Sequence, residues 1–156
     1  MRTGITVASF DTGGTTGAAS YALQLKPENR RSDSYNVIES VEFGPHPHHV
    51  ELWNYLAGLA PDVILYEAFD QVDSEASILV SLEYIGIINL YAALTKTPVH
   101  KRIREFKDVS WLKGMALNKL GCYTPGKPHG NDAKRHLIHY IVSDLNRKEI
   151  LGSLRK

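Results

Sequence analysis

Cysteine is almost missing from this chain: Cys122 is the only one among 156 residues, so no intrachain disulfide can form. A chain of this length buries about two-thirds of its unfolded surface, enough for one domain without cross-links or structural metal. Long apolar runs are lacking too. The longest, around Ile78–Leu94, is interrupted by Ser81, Glu83 and Asn89 and falls short of the roughly 18 apolar residues expected of a bilayer-crossing helix. The N-terminal residues do not have the basic-then-apolar layout of a signal peptide. With the lone cysteine, this makes a reducing cytoplasm the expected setting.

Net charge is also small, +1, yet the charges are segregated. Residues 1–95 carry 4 Lys/Arg against 12 Asp/Glu, and residues 96–156 carry 14 against 5, balances of −8 and +9. A basic excess sustained over so much of the chain points to a polyanionic partner.

The coarse pattern is three strands, then alternating helices and strands. Gly4–Phe10 reads as a buried strand closed by a glycine-rich turn, Ala18–Leu25 as a second strand and Tyr35–Phe43 as a third, together an antiparallel meander. A helix follows the Gly44–His49 turn, with Val50, Trp53, Leu56, Ala57 and Leu59 at helical spacing, and Pro61 stops it. Val63–Tyr66 is a buried strand, and Ser74 starts a long helix through Leu94 that is apolar on more than one side. Pro98–Ile103 reads as a short strand. Phe106–Leu120 has helical spacing and ends at Gly121, and a last helix buries Ala133, Leu137, Tyr140, Ile141 and Leu145. Residues 1–146 form one domain in this reading, and 147–156 a solvated basic tail.

Three stretches carry the chemistry: Phe-Asp-Thr-Gly at 10–13, Leu-Tyr-Glu at 65–67 and His-Gly-Asn-Asp-Ala at 129–133. Each presents an acid at a strand end or a helix start, so Asp11, Glu67 and Asp132 would meet at one end of a sheet and bind Mg²⁺ or Mn²⁺. His129, one helical turn before Asp132, would share the ion or move a proton. Each motif has a plainer account: Asp-Thr-Gly-Gly is ordinary turn chemistry, Glu67 would pair with a structural lysine, and Asn131 or Asp132 would cap a helix. Asp-x-Gly-x-Thr also occurs in the actin and sugar-kinase superfamily, which needs two lobes and a far longer chain. Asp-Thr-Gly opens the catalytic turn of aspartic proteases, which are almost all strand.

Lys101, Arg102, Arg104 and Lys107 form the densest basic patch, followed by Lys113, Lys119, Lys127, Lys134 and Arg135, and these would contact DNA phosphates. Trp111 and Tyr123 are candidates for base stacking, with core packing the alternative for the Trp. His46, His48 and His49 read as a polar turn, while His136 shares a helix face with Asp132 as a donor behind it.

In the order and spacing of these motifs the chain resembles the RuvC-type Holliday-junction resolvases, most closely the small bacteriophage versions. The resemblance implies a ribonuclease-H-like α/β fold: a mixed five-stranded sheet, antiparallel in its first three strands, flanked by helices. It further implies two Mg²⁺ or Mn²⁺ ions per site on Asp11, Glu67, His129 and Asp132, and hydrolysis leaving 5′-phosphate and 3′-hydroxyl ends. A homodimer through the 74–94 helix would make paired nicks in a four-way junction during recombination and repair, in a bacterial host cytoplasm if phage-encoded. Flap, fork and RNA–DNA hybrid nucleases share the fold, and a non-catalytic DNA-binding module or a phosphotransferase stays open beside them.

Overall fold

The computed structural model describes residues 4–24, 38–44, 48–68, 75–106, 108, 111–112 and 116–153. Gly4–Asp11 (β1) and Thr16–Gln24 (β2) form an antiparallel hairpin, in register at Phe10↔Ala18 and Asp11↔Gly17. Glu39–Phe43 (β3) adds antiparallel to β2. His49–Leu59 (α1) then returns the chain to Val63–Glu67 (β4), which runs parallel to β1 with Phe10 opposite Tyr66. Glu75–Thr95 (α2) is the crossover to Val99–Arg102 (β5), parallel to β4, as parallel neighbours require. The resulting five-stranded mixed sheet has the order β3-β2-β1-β4-β5, the expected architecture.

Strand pleating divides the core in two, because successive side chains point to opposite faces. Ala8, Phe10, Ile64 and Tyr66 pack with Leu52 and Leu56 of α1 and with Tyr84 and Ile88 of α2. Val7, Ala19, Tyr21 and Leu65 pack on the other side with Ala133, Leu137, Ile138 and Ile141. Pro128–His139 (α4) carries the first three of these helical residues, and the π-helical turn Tyr140–Asp144 carries Ile141. Burial on both faces is why β1 and β4 read as continuous apolar runs.

Several local expectations need correction. On α1 the buried residues are Leu52 and Leu56; Val50 and Ala57 face solvent, because the sheet fixes which stripe of the helix is covered. A continuous helix over Phe106–Leu120 does not form. Instead Arg104–Phe106 makes a 3₁₀ turn, residues 111–112 lie in a turn, and among the described residues of this span only Ala116–Lys119 (α3) is α-helical before Gly121, at φ 69°, ends it. The aromatic ring of Phe106 is taken up by Arg102, whose guanidinium carbon lies 4.2 Å from the ring centre, and by stacking on His139. The segment from 147 is not simply a solvated tail: Ile150–Ser153 (α5) is helical and Ile150 is buried in the core. Ile78–Thr95 does have the length and composition to cross a bilayer despite its interruptions. In this fold one side of it docks on the sheet through Tyr84, Ile88, Tyr91 and Ala92, while Leu79, Leu82, Leu90 and Leu94 are exposed.

Candidate active site

Asp11 and Glu67 each come one step after the paired residues Phe10 and Tyr66, so they sit side by side at the ends of adjacent parallel strands. Neighbouring strands are about 5 Å apart, and the pleat turns both side chains to the α4 side, as it does Val7 and Leu65. The row continues in both directions. Asp11 faces Gly17, Gly17 faces Glu42 and Glu67 faces Arg102, so the row Glu42, Gly17, Asp11, Glu67, Arg102 crosses all five strands.

Helix α4 lies over this row and meets it residue by residue. The backbone N–H of Gly130 donates to Glu42 Oε1 at 2.9 Å. His129 Nδ1 is 3.0 Å from Asp11 Oδ2, and His136 Nε2 is 2.8 Å from Glu67 Oε2. At the far edge Arg102 donates to His139 Nδ1 at 2.8 Å. The start of α4 comes this close only because residue 17 is glycine: a Cβ there would lie 2.1 Å from the carbonyl carbon of His129. Thr12 adds a brace, donating from Oγ1 to the Glu67 carbonyl at 2.9 Å, which ties the hairpin turn to the end of β4.

Asp11 is only 6% exposed, so its charge has lost most of its hydration and depends on partners for stabilisation. The hydrogen bond to Asp11 is the main reason the His129 imidazole is held above the usual histidine range. Burial opposes the shift, and the charges of Asp11, Glu42 and Asp132 add to it. Asp132, partly exposed, is bonded to Arg135 of the next turn, whose Nε also donates to the Leu112 carbonyl at 3.3 Å. The donor set, carboxylates and an imidazole on one side of the sheet, suits a hard divalent cation in kind. Among the described residues, however, no three metal-type ligands are gathered closely enough to hold an ion. The side chains form couples instead, Asp11 with His129, Glu67 with His136 and Asp132 with Arg135, and an arriving cation has to compete with those partners.

The expected basic residues separate into groups. Lys101, Arg104, Lys119 and Lys127 are exposed. Arg102 and Lys134 are not surface cations, which corrects their assignment as phosphate contacts. Arg102 is 4% exposed, held between Phe106 and Tyr140 and paired with Asp144 at 2.9 Å. Lys134 is 2% exposed, and its ammonium donates to the Cys122 carbonyl at 2.6 Å and to Thr124 Oγ1 at 2.7 Å. Burial pushes the Lys134 pKa down. Arg135 is engaged by Asp132, and Lys107 and Lys113 lie outside the described residues, as does His46. Trp111 and Tyr123 both present exposed surface.

Sequence reasoning passed over Glu42 and the structural need for Gly17. The Gly13–Gly17 cluster held a signal for the latter, but the alternation in Glu39–Phe43 gives no hint that Glu42 meets a helix start.

These features define a ribonuclease-H-like fold, with paired acids at the ends of its central strands. Among solved structures the chain is similar to Thermus thermophilus RuvC in complex with Holliday junction substrate, with TM-score 0.63 and 14% identity over 92% of this chain and 97% of that one. It is similar to the Thermus thermophilus RuvC structure, with TM-score 0.62 and 16% identity over 92% and 98% of the two chains. The fowlpox virus Holliday junction resolvase follows at TM-score 0.53 and 13% identity, over 89% of this chain and 99% of that one. No protein-family model and no curated protein sequence matches the chain.

Proposed function

We propose that this chain is a divalent-cation-dependent endonuclease that resolves four-way DNA junctions as a homodimer. The observation that carries the reading is the alignment of Asp11 and Glu67 in one row at the ends of parallel β1 and β4, with His129 at 3.0 Å from Asp11. The likeness of the fold to that of junction resolvases supports the choice of substrate.

Asp11, Glu67 and Asp132, with His129, would hold two Mg²⁺ or Mn²⁺ ions, which supply activation of the attacking water and neutralisation of charge at the scissile phosphate. The backbones of Asp11 and Glu67 are anchored by strand pairing and the Thr12 brace, so both carboxylates start from fixed, adjacent positions. His129 donates from Nδ1 to Asp11, and being partly exposed it would have room to turn toward an ion held by that carboxylate. Asp132, now bonded to Arg135, would be a further ligand, and Arg135 would then be available to a phosphate. Lys101, Arg104 and Lys127, with Lys107 and Lys113, form the proposed DNA contacts, and Trp111 and Tyr123 the stacking residues. The exposed leucines of α2 form the proposed contact between copies, setting two sites on opposite arms for paired nicks.

The test is Asp11→Asn and Glu67→Gln, assayed on a synthetic four-way junction with Mg²⁺ or Mn²⁺, with flap, fork, duplex and RNA–DNA hybrid substrates alongside. Loss of cutting with retained junction binding is expected, and retained cutting removes both acids from the mechanism. A second reading, a DNA-binding module without catalysis, draws on the pairing of Asp132 with Arg135. It requires junction binding that EDTA does not change and no cleavage with either metal.

A further inference from the structure

His136 stands two turns along α4 from His129 and is completely buried. Its Nε2 lies 2.8 Å from Glu67 Oε2, while its Nδ1 is buried without a hydrogen-bond partner among the described residues. Only a nitrogen bearing hydrogen can donate to a carboxylate, so a neutral ring here carries its proton on Nε2. Buried polar atoms are normally satisfied, and one left bare lowers stability. An apolar side chain would pack beside Leu137 and Ala133 without that loss. The fold therefore keeps at this position an imidazole whose hydrogen bond, among the described residues, goes to Glu67.

We propose that His136 is a positioning residue for Glu67: its Nε2–H holds the carboxylate in the orientation from which it takes a divalent cation. The inference rests on reading Glu67 as a cation ligand. Glu67 ends a strand and has a flexible side chain, so strand pairing fixes its backbone but not its carboxylate. His136, fully buried in the core, supplies a restraint at the carboxylate itself. The two histidines then divide their tasks: His129, partly exposed, is free to leave Asp11, whereas His136 has no room to leave Glu67.

The experiment measures Mn²⁺ binding to the full chain without DNA, by calorimetry and by the electron-paramagnetic-resonance signal of free Mn²⁺. His136→Gln, whose amide reaches the Nε2 position, should bind within about threefold of wild type, and His136→Met should bind about 10–100-fold more weakly. In a Glu67→Gln background, His136→Met should have no further effect. If His136→Met binds as wild type while Glu67→Gln loses affinity, the positioning role is overturned and the cation site stands. If Glu67→Gln binds as tightly as wild type, or wild type binds no Mn²⁺, the site itself fails. Should His136→Met not fold, nitrogen-15 imidazole spectra of the wild type decide. An Nε2–H tautomer whose signals move on adding Mg²⁺ supports the proposal, and an Nδ1–H tautomer or unmoved signals overturn it.

Discussion

The two faces of the sheet are built from the same strands, one residue out of step, yet they do opposite things. On the α1 and α2 side, Phe10, Ile64 and Tyr66 belong to an apolar and aromatic cluster with Leu52, Leu56, Tyr84 and Ile88. On the α4 side the same strands end in Asp11 and Glu67, one residue past Phe10 and Tyr66, and every strand contributes a member to the row that α4 crosses. A carboxylate pair can thus be carried on strands whose other pleat packs into a hydrophobic core through Ala8, Phe10, Ile64 and Tyr66. The strength of one face as a core is what holds the other face still as a site. The outer surfaces differ as well: α4 is covered by the segments that follow β5, whereas α2 leaves Leu79, Leu82, Leu90 and Leu94 in solvent.

The comparison breaks most severely at Gly17. Gly17→Ala sets a Cβ against α4 backbone atoms, which cannot swing aside as a side chain does. We expect a loss of about 4 kcal/mol or more in urea unfolding, or no folded protein, together with loss of junction cleavage. Leu56→Ala, on the opposite face, should cost about 3 kcal/mol through a cavity while leaving Mn²⁺ binding intact wherever the protein remains folded.

A gentler lever is pH. His139 accepts a hydrogen bond from Arg102, and burial followed by the Arg102 charge holds its pKa below the usual histidine value of about 6.5. The unfolded chain therefore takes up this proton more readily than the folded one. The contribution of His139 makes stability fall as pH drops from the ordinary histidine range toward its lowered folded pKa. His139→Phe, which keeps the stack on Phe106, should flatten that slope in urea midpoints measured across the window. His129, shifted upward, contributes in the opposite sense: its stabilisation is present below the ordinary range and lost as pH rises through its folded pKa.

The smallest effects belong to the outer face of α2. Leu90→Glu should alter the stability of the isolated chain by no more than about 0.5 kcal/mol, yet shift sedimentation from dimer to monomer if this face joins two copies. Gly86→Ala meets open space and should raise helix stability by up to about 1 kcal/mol, unless a second copy needs the room.

Much of this was legible from residues alone. Alternation, β-branching and the glycine-rich turn marked β1 and β2, and apolar runs bounded by Pro61 and Pro98 marked the two parallel strands. Asp11 and Glu67 stood out because each follows such a run, and Asp132 because it stands at the start of a helix. The region after β5 was misread for a definite reason. Helical spacing at Val109, Leu112, Ala116 and Leu117 is compatible with several backbone paths, and Phe106, read as the start of that helix, instead sits in a 3₁₀ turn against Arg102 and His139. Basic residues were misread for a similar reason, since a lysine that spans to a distant carbonyl looks in sequence like one that faces solvent.

Short-range chemistry was therefore written in the chain: which stretches become strands or helices, where turns fall and which acids stand at their ends, because propensity and periodicity act over a few neighbours. Which partners those acids acquire depended on folding. The couples Asp11 with His129 and Glu67 with His136 span 118 and 69 residues, and they exist because strand register and the crossing of α4 bring distant segments into hydrogen-bond range. Burial of Arg102 and Lys134 followed from the same crossing, since desolvation is set by what packs around a charge and not by its neighbours along the chain.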